Sequence, residues 1–158
     1  MLFRSRLDVF RVQIRALLRA APHGHLKVMV PMITVPSELD EVRALFQDEY
    51  AALQARSVEV KMPLLGMMVE VPAAALAISH FKSDFFSIGS NDLVQYTTAA
   101  GRDIGAVASL ADLRHPAVLR LIEIVAAHGA ATGCDVRDRK STRLNSSHSS
   151  VSRMPSSA

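Results

Sequence analysis

At 158 residues, 49% of them apolar and 5% aromatic, the chain can bury a core of its own in one domain rich in Ala, Val and Leu. Its formal charge of +3 would suit an anionic partner, but residues 137–158 hold Arg137, Arg139, Lys140, Arg143 and Arg153 against Asp138 alone, leaving residues 1–136 at −1, so nucleic-acid binding loses its support. No stretch is long and apolar enough for a membrane span, the start MLFRSRLDVFR is too charged for a signal peptide, and one cysteine, Cys134, excludes an internal disulfide and fits a reducing, cytoplasmic compartment.

Residues 8–20 (DVFRVQIRALLRA) are spaced as an amphipathic helix, with Val9, Ile14, Leu17 and Leu18 on one face, and Pro22, His23 and Gly24 end it. His23 and His25 read as solvated loop residues, since no second ligand stands at a metal spacing. Leu26 to Met32 is an apolar run of strand length. Pro36-Ser37-Glu38 opens a helix over 37–55 with acids in its first turn, where the helix dipole favours them. A polar connection leads to a strand over Leu64–Glu70, and Pro72 starts a helix that reaches about Phe81. Asp84 precedes the strand Phe85–Ile88, and a helix from Asp92 to about Ala100 stops at Gly101. A loop carries the chain to His115-Pro116, a helix runs from Ala117 to about Ala131, Gly133 stops it, and Cys134-Asp135-Val136 begins another strand.

Alternating helices and apolar strands imply a parallel α/β sheet covered on both faces. No glycine-rich phosphate loop follows a strand, which argues against a dinucleotide-binding fold. A barrel fits better, but three or four strands do not close one, and an eight-stranded barrel takes about 250 residues. The expected fold is therefore a partial (β/α)8 TIM-type barrel with parallel strands. Residues 137–158 hold eight serines and no apolar period, a composition that cannot offset its ordering entropy. The expectation is a partial barrel over 1–136 and a disordered, non-native tail over 137–158.

Two strands end in residues with chemistry to offer. One ends in Glu70; the next closes on Gly89-Ser90 and is followed by Asn91 and Asp92. Ends of consecutive parallel strands share a rim, where α/β proteins keep their ligand chemistry. Glu70 and Asp92 would put two carboxylates together there, a site for a hard divalent cation. The alternative is that Asn91 and Asp92 simply cap the helix and hold no ligand.

The segments QIRALLRA, MVPM, MMVEVPAAA, FFSIGSNDLVQYTTAAGRD and HPAVLRLI, taken in this order, resemble the C-terminal barrel of phosphoenolpyruvate–protein phosphotransferase, enzyme I of the bacterial sugar phosphotransferase system. The resemblance runs from about residue 8 to about 136. Pyruvate phosphate dikinase and phosphoenolpyruvate synthase share the glutamate and the IG-S/T-ND core; the QYT continuation and the QIRALLRA helix look more like enzyme I. A non-catalytic barrel piece is the remaining alternative.

The resemblance implies that Glu70 and Asp92 bind Mg2+, that Asn91 and Asp92 contact phosphoenolpyruvate, and that Arg102 binds its anionic end. Arginine's planar fork suits a phosphate or carboxylate; otherwise Arg102 is a solvated residue after a helix cap. Gln95 and Tyr96 take packing roles. The resemblance further implies a phosphocarrier protein as partner, a homodimer for the intact protein, a phosphohistidine on a separate domain, and a cysteine that protonates the enolpyruvate carbon. Counted without gaps, that cysteine's place is held by Arg139; Cys134 stands five residues early and takes no such role. Leu113-Arg114 replaces the usual Pro-Leu. By itself the chain is expected to be inactive.

Overall fold

The computed structural model describes residues 6–101, 110 and 112–138. Helix α1 spans Leu7–Ala20, with Asp8 in its first turn and Arg19 in its last, each matched to the helix dipole. Ile14 and Leu18 are fully buried, but Val9 is 51% exposed. Five residues before Ile14 is a rotation of about 140° at 3.6 residues per turn, so Val9 cannot share the buried face with it. A 3-10 turn over Ala21–His23 leads to strand β1, Lys27–Val30.

Helix α2, Pro36–Gln54, starts with proline at its first position. The Glu38 carboxylate reaches back to accept from the Thr34 N–H (2.8 Å), the Thr34 hydroxyl (2.9 Å) and the Val35 N–H (3.3 Å), which fixes the entry of the helix. Its buried stripe is Leu39, Val42, Phe46, Glu49 and Leu53. Glu49 belongs there because two guanidinium groups of α1 meet it: Arg11 Nη1 at 2.7 Å and Arg15 Nη1 at 2.9 Å. Burial pushes its carboxyl up, and the two arginine hydrogen bonds outweigh that and hold it below the ordinary range.

Strand β2 is Leu64–Val69 and strand β3 is Phe85–Ile88. Between them lies a short helix α3, Pro72–Leu76, that gives way to a 3-10 turn over Ile78–His80 instead of continuing to Phe81. Helix α4, Ser90–Thr98, ends at Ala99 in the left-handed region (φ 54°), two residues before the expected glycine. Helix α5, Pro116–Thr132, is opened by His115 Nδ1, which accepts from the Ala117 N–H, and stopped by Gly133 at φ 70°. Strand β4 is Asp135–Asp138, so it includes Arg137 and Asp138, beyond the expected boundary at 136. The remainder of the serine-rich tail lies outside the described residues.

All four strands are parallel and in sequence order, with Val30 opposite Met67, Val69 opposite Ile88, and Phe86 opposite Val136. Side chains alternate across a strand, so Leu65, Met67, Val69, Phe86 and Ile88, none more than 4% exposed, face the helices. The other face carries Lys27, Gly66, Met68, Phe85, Ser87, Asp135 and Arg137. Here the expectation of apolar runs fails for β4 (DVRD) and for the start of β1. The sheet is also curved: Lys27 Nζ of β1 lies 5.1 Å from the centre of the Phe85 ring and 3.0 Å from Asp135 Oδ2 of β4. A concave face of mixed polar and apolar residues and an apolar, helix-covered face make this an arc of a (β/α)8 barrel, partial and unclosed, as expected.

Candidate active-site rim

Three strand ends converge at one place. The register sets Val69 beside Ile88, so the next residues, Glu70 and Gly89, are neighbours, and the Gly89 N–H donates to the Val69 carbonyl at 2.9 Å. Glu70 is 3% exposed. Its Oε1 accepts from the backbone N–H of Met32 at 2.6 Å, a residue just past the end of β1. Met32 adopts φ 55°, a left-handed conformation uncommon for a residue with a side chain.

Gly89 is required by close approach. A Cβ there would lie 2.7 Å from Glu70 Cβ, 2.8 Å from Glu70 Oε2 and 2.9 Å from Met68 Sδ. The bare Cα lets the chain pass alongside the carboxylate and then start α4. Gly89 holds the N-cap position of that helix, with no side-chain cap bond, and the Leu93 N–H donates to its carbonyl at 2.9 Å. Asn91 and Asp92 therefore do not hold the N-cap position of α4: both lie inside its first turn. Asp92 is half-buried there and Asn91 is exposed. A carboxylate at that position is favoured by the helix dipole.

Glu70, Asn91 and Asp92 thus lie on the rim formed by the carboxyl ends of β2 and β3. Arg102 and Arg139 lie outside the described residues. Tyr96 is 47% exposed and Gln95 half-buried; Tyr96 does not take the packing role expected of it, and the core contacts of α4 come from Leu93 and Val94. Cys134 precedes β4 and sits at the opposite end of the sheet, its Sγ 3.8 Å from the Ser83 carbonyl that precedes β3. Burial pushes this thiol up, helped by Asp135 and Asp84. His23 and His25 are exposed, as expected. Among the described residues no three His, Cys, Asp or Glu side chains gather as a metal cluster.

Beside the rim, along the outer edge of β1, runs a cleft of about 760 Å³ that Phe10, Leu17, Val28, Met32, Glu38 and Phe46 help to line. The residues that sequence reasoning missed are Met32, which acts through its backbone amide, and Gly89, which acts through its lack of a side chain. For Gly89 the signal was a glycine directly after an apolar strand; for Met32 there was none.

A family model described as the PEP-binding domain of PEP-utilising enzymes matches residues 2–138. The chain belongs to this family. Curated relatives named phosphoenolpyruvate-protein phosphotransferase agree with it: the protein of Listeria monocytogenes is 46% identical over 121 residues, covering 75% of this chain and 21% of the relative. That of Geobacillus stearothermophilus is 49% identical over 126 residues, covering 77% of this chain and 22% of the relative. The chain thus spans about a fifth of the length of these relatives. Among solved structures, a citrate lyase from Burkholderia xenovorans superposes with a TM-score of 0.60 at 21% identity, covering 81% of this chain and 40% of that one, a likeness of fold alone.

Proposed function

We propose that this chain forms part of the phosphoenolpyruvate-binding barrel of a phosphoenolpyruvate–protein phosphotransferase. In this reading Glu70 and Asp92 hold Mg2+, and Asn91, Asp92 and Arg102 engage phosphoenolpyruvate. The observation that carries it is Glu70: a carboxylate 3% exposed at a strand end, held by the Met32 amide and set against the segment that leads into Asp92. A buried carboxylate is costly to keep unless it is hydrogen-bonded or paired. Two carboxylates suit Mg2+, which commonly takes one or two and completes its octahedron with substrate oxygens and water.

Bound there, Mg2+ would neutralise charge on the phosphoryl group in flight. The part of these residues is to bind and orient: Glu70 is fixed by the sheet, and Asn91 and Asp92 are presented by the first turn of α4. Arg102 is assigned from its place in the motif. For the whole protein the proposal extends to phosphoryl transfer to a histidine on another domain, a phosphocarrier protein as partner, a homodimer and a cytoplasmic location. Among the described residues no helix is long and apolar enough to cross a membrane. The test is Mn2+ binding, a stand-in for Mg2+, followed by water-proton relaxation in the unsubstituted chain and in Glu70→Gln. Weaker binding by Glu70→Gln is expected; equal binding would sink the assignment.

A further inference from the structure

We infer that Met32 and Gly89 are positioning residues that set the orientation of the Glu70 carboxylate for its cation. The inference rests on the metal reading above and goes one layer out from it. The two oxygens of Glu70 are treated differently. Oε1 is held at 2.6 Å by the Met32 N–H, and Oε2 lies against the bare Cα of Gly89. A carboxylate accepts through about four lone-pair positions, and the Met32 N–H, by occupying one of them on Oε1, limits how the group turns about its last bond.

Met32 supplies that bond from an uncommon backbone. With φ at 55° the chain turns away toward α2 while the N–H stays aimed at Glu70. The Met32 side chain does not demand this turn, being 40% exposed. An uncommon backbone conformation kept at a rim of polar residues is where function is sought. Gly89 supplies room: a methyl there would stand 2.7 Å from Glu70 Cβ, 2.8 Å from Oε2 and 2.9 Å from Met68 Sδ, and the Glu70 side chain, carboxylate included, would have to shift.

Three variants of the full chain separate positioning from bulk packing. Met32→Val introduces a β-branched side chain that resists positive φ; Met32→Gly keeps the N–H and favours positive φ; Gly89→Ala fills the gap. The readouts are Mn2+ affinity by water-proton relaxation and, without metal, far-ultraviolet circular dichroism and Tm. Removing such support typically weakens metal binding by about 10–100-fold, and that loss is expected for Met32→Val and Gly89→Ala, with Met32→Gly close to the unsubstituted chain. Met32→Val changes an exposed side chain and should stay folded; if it does not, Gly89→Ala decides. A folded Met32→Val or Gly89→Ala with unchanged Mn2+ affinity overturns the inference, provided Glu70→Gln binds weakly. If Glu70→Gln binds Mn2+ normally, or the unsubstituted chain binds none, the metal reading itself falls and the inference with it.

Discussion

Gly129→Ala tests how closely α5 lies on β4. Gly129 is buried, and a methyl built on it would fall inside the Cγ2 methyl of Val136, with Val136 Cβ at 3.2 Å and the Cys134 carbonyl oxygen at 3.0 Å. Two effects oppose each other. Alanine is favoured over glycine inside a helix by about 0.8–1.0 kcal/mol, whereas overpacking a close contact costs typically about 1–3 kcal/mol. Neither neighbour can swing aside, since valine is stiff at χ1 and the carbonyl is backbone. The upper part of the overpacking range should apply, leaving a net loss of about 1–2 kcal/mol. At roughly 2–4 °C per kcal/mol for a chain of this size, Tm should fall by about 2–8 °C in a thermal melt followed by circular dichroism. Adding Val136→Ala removes the obstructing methyl and should recover part of the loss, a coupling that distant sites do not show. A Gly129→Ala chain more stable than the original would show the helix gain unopposed, and the α5–β4 contact would be refuted.

The Glu49 carboxyl is held below the ordinary glutamate value of about 4.3, so its contribution is present above that value and lost as pH falls through the lower, folded one. Glu49→Gln should lower Tm most at neutral pH and converge on the original chain in acid; a difference that persists unchanged into acid would count against the Arg11–Glu49–Arg15 link. Deleting residues 139–158 should leave Tm unaltered, because that segment offers no apolar period, and a clear drop would show that it packs. Incubated with labelled phosphoenolpyruvate, Mg2+ and phosphocarrier protein, the 158-residue chain should leave the carrier unlabelled, since it spans only 21–22% of the relatives named for that transfer; label above a no-enzyme control would contradict this.

Strand β3 was legible to the residue and β2 nearly so, because each is an apolar run closed by a polar or small residue. The long helices were legible from their punctuation: Pro36 and Glu38 open α2, Pro116 opens α5, and Gly133 closes it. The break in α3 was not, because PAAALAISH offers helix formers throughout and Ala77 departs from helical geometry with no glycine or proline to announce it. Ala99 likewise enters the left-handed region without being the residue type that favours it. At the rim, Glu70 could be found because a carboxylate ending an apolar run is conspicuous. The amide that orients it could not, because every residue but proline carries one. Glu49 was equally hidden: within the pattern of α2 it reads as a solvated acid, and only the arginines of α1 make it a core residue.

The curvature of the sheet rests on a pair that pattern reading cannot see, Lys27 and Asp135, 108 residues apart. In a flat sheet β1 and β4 would be three strand spacings apart, roughly 14 Å at about 4.8 Å each, beyond the reach of a lysine. Gly66 makes the crossing possible: a Cβ there would stand 2.5 Å from the Phe85 ring, so the ring lies over β2 and Lys27 passes above it. Lys27, and after it Arg137, hold the Asp135 carboxyl below the ordinary aspartate value of about 3.9. A carboxyl lowered in this way stabilises the fold above that value, and the contribution fades as pH falls through the folded one. With the two side chains 42% and 39% exposed the effect on stability is small, so the titration itself is the measurement. Followed by carbon NMR, the Asp135 carboxyl should titrate higher in Lys27→Met than in the original chain, and remain partly lowered by Arg137. An Asp135 titration indifferent to Lys27→Met would mean that β1 and β4 do not meet across the concave face, and the sheet would lose its claim to be an arc of a barrel.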